Sequence, residues 1–202
     1  MTPHDLSALV SSRICHDLIS PIGAISNGVE LMLDMSNKTS PELGLIGDSV
    51  NSASAKLRYF RIAFGATPPG SRIQMSEMRI ATEAMFTGRT KLTFAEAPED
   101  APRPIAKLLL LALLCLEKSL PMGGNISVSL RETAFEVVAK ADRIKSLAAQ
   151  WGVLDGNVPE DPPLASDVQF FLLADTLVGA GATFQRRFES NSAEIDVALL
   201  MP

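Results

Sequence analysis

Apolar residues recur at helical spacing through the first third of the chain, and one short polar break divides the pattern in two. In residues 2–34 successive apolar positions lie three or four residues apart, which is the period of one helix face. From Pro41 to Phe64 the spacings alternate between three and four, as they do along the seam of a helix bundle. Because the break at residues 36–40 is short, the pattern predicts two antiparallel helices.

Two such helices cannot enclose a core by themselves. The first could extend about 50 Å at 1.5 Å per residue, and its apolar stripe needs a surface to cover it. Pairing with a second copy into a four-helix bundle is the most economical solution, so we expect a homodimer. The alternative is that the helical hairpin packs on the C-terminal part of the same chain.

The segment Gly65–Gly70 contains two glycines and two prolines and predicts a domain boundary. Beyond it, helical and alternating stretches follow one another. The predicted elements are a helix over 76–86, a strand over 91–94, a helix over 104–120, strands over 125–131 and 134–141, a short helix over 145–151, a loop over 157–163, a helix over 167–178 capped by Ser166, and strands over 183–189 and 194–200. The expected fold class is α+β: a helical-hairpin dimerisation domain over 1–65, then an α/β sandwich over 71–202 with helices on one face of a largely antiparallel sheet.

Composition excludes several classes of protein. The chain has 202 residues, 47% of them apolar, which is too many for a disordered chain. A net charge of −5 and 5% aromatic residues do not suit nucleic-acid binding. Two cysteines and two histidines show neither metal-ligand spacing nor a disulfide framework. The apolar run over 105–116 is too short to span a membrane and the N-terminus lacks a signal-peptide pattern, so we expect a cytoplasmic protein with no membrane partner.

His16 lies on the polar face of the first predicted helix, away from the apolar stripe. A neutral, exposed imidazole is a competent nucleophile near pH 7. Exposed histidines on helices usually have no such role, so the surroundings must support it. The neighbours along this face are small or polar and leave room for a bulky partner: Ser12, Arg13, Ser20, Gly23 and Asn27.

Two residues close to His16 favour a chemical role. Asp17 follows it directly and can hold one ring nitrogen while the other attacks. Pro21 costs about 3 kcal/mol inside a helix because it removes a backbone hydrogen bond, and it kinks the helix about one turn beyond His16. A helix-breaking residue that brings no structural gain is typical of a functional site.

Basic residues are predicted to lie beside His16. With the turn centred near residues 38–39, positions whose numbers add to about 77 lie level on the two helices. Arg61 is then level with His16, and Arg58 lies one turn away. Together with Arg13 they form a positive rim suited to a phosphoryl group or an acidic partner. The alternative is that these arginines form an ordinary solvated face.

The string His16-Asp17-Leu18-Ile19-Ser20-Pro21 resembles the phosphoacceptor box of sensor histidine kinases, which has a histidine, an adjacent acid and a proline five residues on. A helical hairpin followed by an α/β sandwich resembles the dimerisation and ATP-binding domains of those kinases, over essentially the whole chain. Lys118–Val128 resembles the end of the kinase asparagine-box helix and the strand after it. Residues 168–200 resemble the last kinase helix and its strands.

The departures from the kinase pattern concern the nucleotide. Leu111 and Cys115 stand where the two asparagines would hold Mg²⁺ and phosphates. Asp142 keeps the acid of the first glycine box but no glycine follows it, and residues 162–166 carry no glycine where the second box belongs. A loop whose backbone N–H groups bind phosphates needs glycines, because a side chain would keep the phosphates away from the backbone. We therefore expect the second domain to be a degenerate ATPase-like domain that does not bind ATP.

A retained phosphoacceptor histidine beside a degenerate nucleotide domain is similar to the ChpT-type histidine phosphotransferases of alphaproteobacteria. The resemblance implies a homodimeric four-helix bundle in which His16 takes a phosphoryl group from the receiver domain of a hybrid histidine kinase and passes it to a response regulator. The receiver brings its own Mg²⁺, so no cofactor or metal of this chain is expected. The alternatives are an ATP-dependent histidine autokinase with a divergent nucleotide site, and a non-catalytic dimeric scaffold or kinase inhibitor.

Overall fold

The computed structural model describes residues 19, 22–23, 25–33, 41–86, 88–157 and 167–199. They belong to two compact units, one drawn from Met1–Ala66 and Arg79–Met85 and the other from Thr67–Met78 and Phe86–Pro202. No helix in these described ranges is long and apolar enough to cross a membrane. The elements in chain order are α1 (helical over 25–33), α2 (Pro41–Ala63), β1 (Arg72–Gln74), α3 (Met75–Met85), β2 (Thr90–Glu96), β3 (Asp100–Pro102), α4 (Arg103–Lys118), β4 (Gly124–Leu130), β5 (Ala134–Lys140), α5 (Ala148–Gly152), a 3₁₀ turn (Val153–Asp155), α6 (Val168–Gly179), β6 (Ala182–Phe188) and β7 (Ser192–Leu199).

In the first unit, described residues of α1 and α2 contact each other. The Ser26 hydroxyl donates a hydrogen bond to Oδ1 of Asn51 over 3.1 Å. One turn further along α1, Cγ1 of Val29 lies 3.6 Å from the position that a Cβ would take at Gly47, one turn earlier on α2. Residue numbers therefore rise along one helix as they fall along the other, and each contacting pair adds to 76 or 77.

The second unit is built on a five-stranded sheet with the order β2-β4-β5-β7-β6. β2 pairs parallel with β4 (Leu92 opposite Ile126), and the other three pairings are antiparallel. β1 and β3 form a separate two-stranded antiparallel ladder, in which Ile73 lies opposite Ala101. The parallel pair is possible because α4 provides the crossover between its strands.

The core of the second unit lies between α4, α6 and one face of the sheet. Every residue from Ile105 to Leu116 in α4 is buried, and α4 contacts both α6 and β5. Each fully buried leucine stabilises the fold by roughly 1.5–3 kcal/mol through its removal from water. Alternate strand residues face this core: Ile126, Val128, Leu130, Phe135, Val137, Ala139, Ala193, Ile195 and Val197.

Most elements predicted beyond residue 71 are present, with ends shifted by at most three residues. The prediction missed β1 and β3, since three-residue strands carry no recognisable alternation. The last long helix begins at Val168 rather than at 167, and Asp167 occupies its N-cap position without making a capping hydrogen bond. The predicted cap Ser166 and the predicted loop beyond Asn157 lie outside the described residues, as does most of the predicted helix over 2–34.

Candidate functional site

Gly23 and Asn27 are the described members of the face predicted to surround the phosphoacceptor. Asn27 is exposed, and a Cβ added at Gly23 would have no atom within 4 Å. At about 100° per residue, the two positions lie within about 40° of each other around the helix axis. The described residues around Gly23 and Asn27, at and just before the start of α1, therefore present open space.

The two predicted rim arginines lie one turn apart near the C-terminal end of α2. Arg58 is exposed and Arg61 is half-buried. Arg61 is in the last turn, where a positive charge interacts favourably with the helix dipole. Next to them the rings of Phe60 and Phe64 stack with centroids 5.0 Å apart. The arginines thus occupy the expected stretch of α2, next to an aromatic pair.

The remaining predicted site residues lie outside the described residues. These are the phosphoacceptor candidate and its neighbour, the kink residue and three docking residues: His16, Asp17, Pro21, Ser12, Arg13 and Ser20. Their roles stay predictions.

The two positions where the resemblance would place the kinase asparagines are buried in the core. Leu111 and Cys115 are both fully buried in α4. Burial raises the pKa of the Cys115 thiol well above its ordinary value of 9.0, and the opposing effect of the Lys118 charge is smaller. The thiol therefore stays protonated and supplies no thiolate ligand. Neither side chain offers an oxygen to Mg²⁺.

The segment after β5 contributes a buried tryptophan. Trp151 of α5 packs edge-on against Phe170 of α6, with ring centroids 5.1 Å apart, and contacts Phe184 and Phe188 of β6. Its indole N–H donates a hydrogen bond to the Ser119 hydroxyl at the end of α4 over 3.0 Å. An aromatic cluster thus joins α4, α5, α6 and β6.

Two ion pairs border this cluster. Lys118 at the end of α4 pairs with Asp167 before α6, and the amide of Gln150 lies 3.5 Å from the second oxygen of that carboxylate. Arg186 of β6 donates to both oxygens of Asp155, at 3.0 and 2.5 Å, which lowers the pKa of that carboxyl group. The spacing of these residues gave no signal in the sequence, since Lys118 and Asp167 are 49 positions apart.

The described part of the chain holds no group of three or more histidine, cysteine, aspartate or glutamate residues placed to bind a metal ion.

Comparison with known proteins identifies the family. Residues 75–190 match the family model described as the histidine phosphotransferase C-terminal domain. The protein phosphotransferase ChpT of Brucella abortus (strain 2308) is 36% identical over 171 residues, which cover 82% of this chain and 81% of the relative. The chain belongs to the ChpT-type histidine phosphotransferases. The family expected from the sequence is therefore confirmed.

Solved structures agree with this family assignment. A structure described as a bacterial phosphotransferase matches this histidine phosphotransferase with a TM-score of 0.72 and 32% identity, over 98% of this chain and 97% of the other. A histidine kinase domain from Erythrobacter litoralis EL346 matches with a TM-score of 0.50 and 13% identity, over 93% of this chain and 94% of that one. At 13% identity the kinase shows a shared fold alone.

Proposed function

We propose that this histidine phosphotransferase carries a phosphoryl group on His16, between a receiver aspartate of a hybrid histidine kinase and a receiver aspartate of a response regulator. The observation that carries the proposal is the 36% identity to ChpT across 82% of the chain, in a sequence that keeps the string His16-Asp17-Leu18-Ile19-Ser20-Pro21. A relay between such partners would take place in the cytoplasm.

The proposed chemistry needs one imidazole per subunit. A ring nitrogen of His16 attacks the phosphorus of an aspartyl phosphate, the N–P bond forms, and the acyl phosphate P–O bond breaks to release the receiver carboxylate. Asp17 accepts a hydrogen bond from the other ring nitrogen and stabilises the positive charge that develops on the ring. Transfer to the second receiver is the reverse of the first step. The Mg²⁺ that neutralises the phosphoryl oxygens belongs to the receiver, so catalysis by this chain is positioning and electrostatics, without a cofactor of its own.

The docking face for the receiver follows α1 beyond His16. The openness of α1 at Gly23 and Asn27 supports it, because a folded receiver must approach the helix closely. Arg58 and Arg61 would add positive charge for an acidic phosphoryl site. The proposed contact residues are Ser12, Arg13, Ser20, Gly23, Asn27, Arg58 and Arg61.

A helical hairpin and a dimeric four-helix bundle are also part of the proposal. The contacts Ser26–Asn51 and Val29–Gly47 support an antiparallel hairpin with the expected level pairs. Ile25 and Met32 of α1 lie about 70–90° around the axis from those contacts, and Ile46 of α2 lies about 120° away, at 100° per residue.

Because the helices are antiparallel, these offsets place the three apolar side chains on the same side of the hairpin. They are 55%, 57% and 47% exposed, respectively, so they present an apolar face that a second copy would cover. If the predicted helix over 2–34 keeps 100° per residue, His16 would lie about 110° from the contacts in the opposite sense, on the side that the proposed bundle leaves open.

The second domain is proposed to support the bundle and not to bind ATP. The buried Leu111 and Cys115 support this, since neither can replace an asparagine amide. The aromatic cluster around Trp151, in the segment where glycine boxes would be expected, supports it as well.

The deciding experiment is phosphoryl transfer from a receiver domain that carries a radiolabelled phosphoryl group. Wild-type protein should acquire an acid-labile label, His16→Ala should acquire none while remaining folded, and His4→Ala is the matched control that should behave as wild type. Label on His16→Ala would overturn the proposal. Incubation with labelled ATP alone should produce no phosphoprotein, whereas incorporation would support the autokinase alternative.

A further inference from the structure

One end of the outward face of the sheet carries basic side chains on neighbouring strands. Lys91 of β2 lies opposite Asn125 of β4, which in turn lies opposite Lys140 of β5. All three residues are exposed, whereas their neighbours Leu92, Ile126 and Ala139 face the core. Two strand spacings separate the lysines, or about 10 Å, with an amide between them.

This row borders a groove whose base is formed by the backbone of two glycines. The groove has a volume of about 640 Å³ and is lined by Arg89, Asn125 and Lys140 around Gly123 and Gly124. A Cβ at Gly123 would lie 2.2 Å from the Arg89 carbonyl oxygen, and Gly123 has a φ of +82°. A Cβ at Gly124 would lie 2.7 Å from the Lys140 carbonyl oxygen. Any other residue at these two positions would clash with the neighbouring backbone, so the base of the groove requires glycine.

The charge around the groove is opposite to that of the whole chain, which has a net charge of −5. Arg89, Lys91 and Lys140 are exposed, and none of them forms an ion pair within the described residues. Asp142 contributes one carboxylate to the lining, and exposed Arg143 follows it. The groove therefore retains a net positive charge that its own residues do not neutralise.

The lining also indicates what kind of anion fits. It contains no aromatic side chain, so nothing in it can stack on a nucleobase, which is the main sequence-tolerant contact of single-stranded nucleic-acid sites. Met122, 62% exposed, instead provides a flexible apolar contact beside the cations. We propose that this groove binds an acidic peptide segment of a partner protein, with carboxylates on Arg89, Lys91 and Lys140 and an apolar side chain on Met122.

The test uses the full-length protein and a fluorescein-labelled peptide of repeating Glu-Leu-Glu-Gly units, followed by fluorescence anisotropy. Lys91→Glu/Lys140→Glu should weaken peptide binding about tenfold or more, and added salt should weaken the wild-type complex because both sets of charges are exposed. Lys56→Glu/Arg131→Glu is the matched control: it changes the net charge equally, at exposed positions outside the groove lining, and should keep wild-type affinity. A Gln-Leu-Gln-Gly peptide should not bind.

Further outcomes decide the inference. Lys91→Gln/Lys140→Gln should also lose binding, so a folding defect of the glutamate variant does not obscure the result. Equal weakening by the groove variant and the control would overturn the proposal, because binding would then follow net charge alone. Groove-dependent binding of a single-stranded oligonucleotide without binding of the acidic peptide would also overturn it. Transfer of label to His16 provides an independent readout, so failure here leaves the proposed function intact.

Discussion

The indole N–H of Trp151 donates a hydrogen bond to the Ser119 hydroxyl over 3.0 Å, and both residues are buried. The bond joins α5 to the end of α4. The ring itself packs on Phe170 of α6. The described part of the segment between β5 and α6 is therefore held by apolar burial and a buried hydrogen bond.

Substitution of Trp151 and Ser119 should measure how much this burial and this hydrogen bond stabilise the fold. Trp151→Ala should lower the free energy of unfolding by about 3–5 kcal/mol, because it leaves a large cavity among aromatic rings. Ser119→Ala should cost about 1–3 kcal/mol, because it leaves the buried indole N–H unpaired. Chemical denaturation followed by circular dichroism measures both.

The double variant provides the control for the hydrogen bond. Trp151→Phe/Ser119→Ala should be little less stable than Trp151→Phe alone, since both polar partners are then absent. If the losses in free energy of unfolding from the two substitutions were fully additive, the hydrogen bond would not couple the two residues.

The Arg72 network should make stability depend on acid pH. Arg72 donates two hydrogen bonds to each of Asp100 and Glu132, and these bonds are the main reason that the pKa of each carboxyl group lies below its ordinary value, 3.8 and 4.5 respectively. A carboxyl group whose pKa is lower in the folded state than in the unfolded state stabilises the fold at pH values above the unfolded-state pKa. This stabilisation is lost as the pH falls through the folded-state pKa.

Arg72→Gln should therefore have a lower Tm than wild type at pH 7, with a difference that shrinks below about pH 4. Arg131→Gln is the matched control, since Arg131 is exposed and takes no part in the network. Differential scanning calorimetry across this pH range measures the effect. A difference that stays constant down to pH 2 would contradict it.

The apolar face of the hairpin should determine the oligomeric state. Met32→Glu places a charge on the side of α1 that the proposed bundle buries, and it should shift the protein from dimer to monomer in analytical ultracentrifugation. Leu31→Glu is the matched control: Leu31 is 63% exposed and lies about 170° around the axis from the α2 contacts. If both variants remain dimeric, or both dissociate, the proposed face is wrong.

Asp17→Asn should slow phosphoryl transfer without abolishing it. The amide keeps the size of the side chain but loses the charge that stabilises the developing imidazolium, so a loss of about 10²-fold in rate is expected. Rapid-quench measurement of label transfer from a phosphorylated receiver tests this. A rate equal to that of wild type would remove the role assigned to Asp17.

The predictable parts of the fold are those with a local signature. The buried helix α4 follows from the long apolar run over 105–116, and the alternation of β4, β5 and β7 follows from a period of two residues that persists over 7–8 residues. The ladder of β1 and β3 has no such signature, because three residues cannot display a period. The Lys118–Asp167 ion pair could not be predicted from the sequence either, because it joins positions 49 residues apart.

The sequence by itself determined the family and the candidate nucleophile, because a histidine, an adjacent acid and a nearby proline form a contiguous string, and because missing glycines and asparagines can be read position by position. Only the tertiary structure decided how Trp151 is buried, the order of the five strands in the sheet, and that Arg89 and Lys140 line one groove. These depend on contacts between distant parts of the chain. Local periodicity specifies which face of an element is buried, but the partner that covers it is decided by the packing of the whole unit.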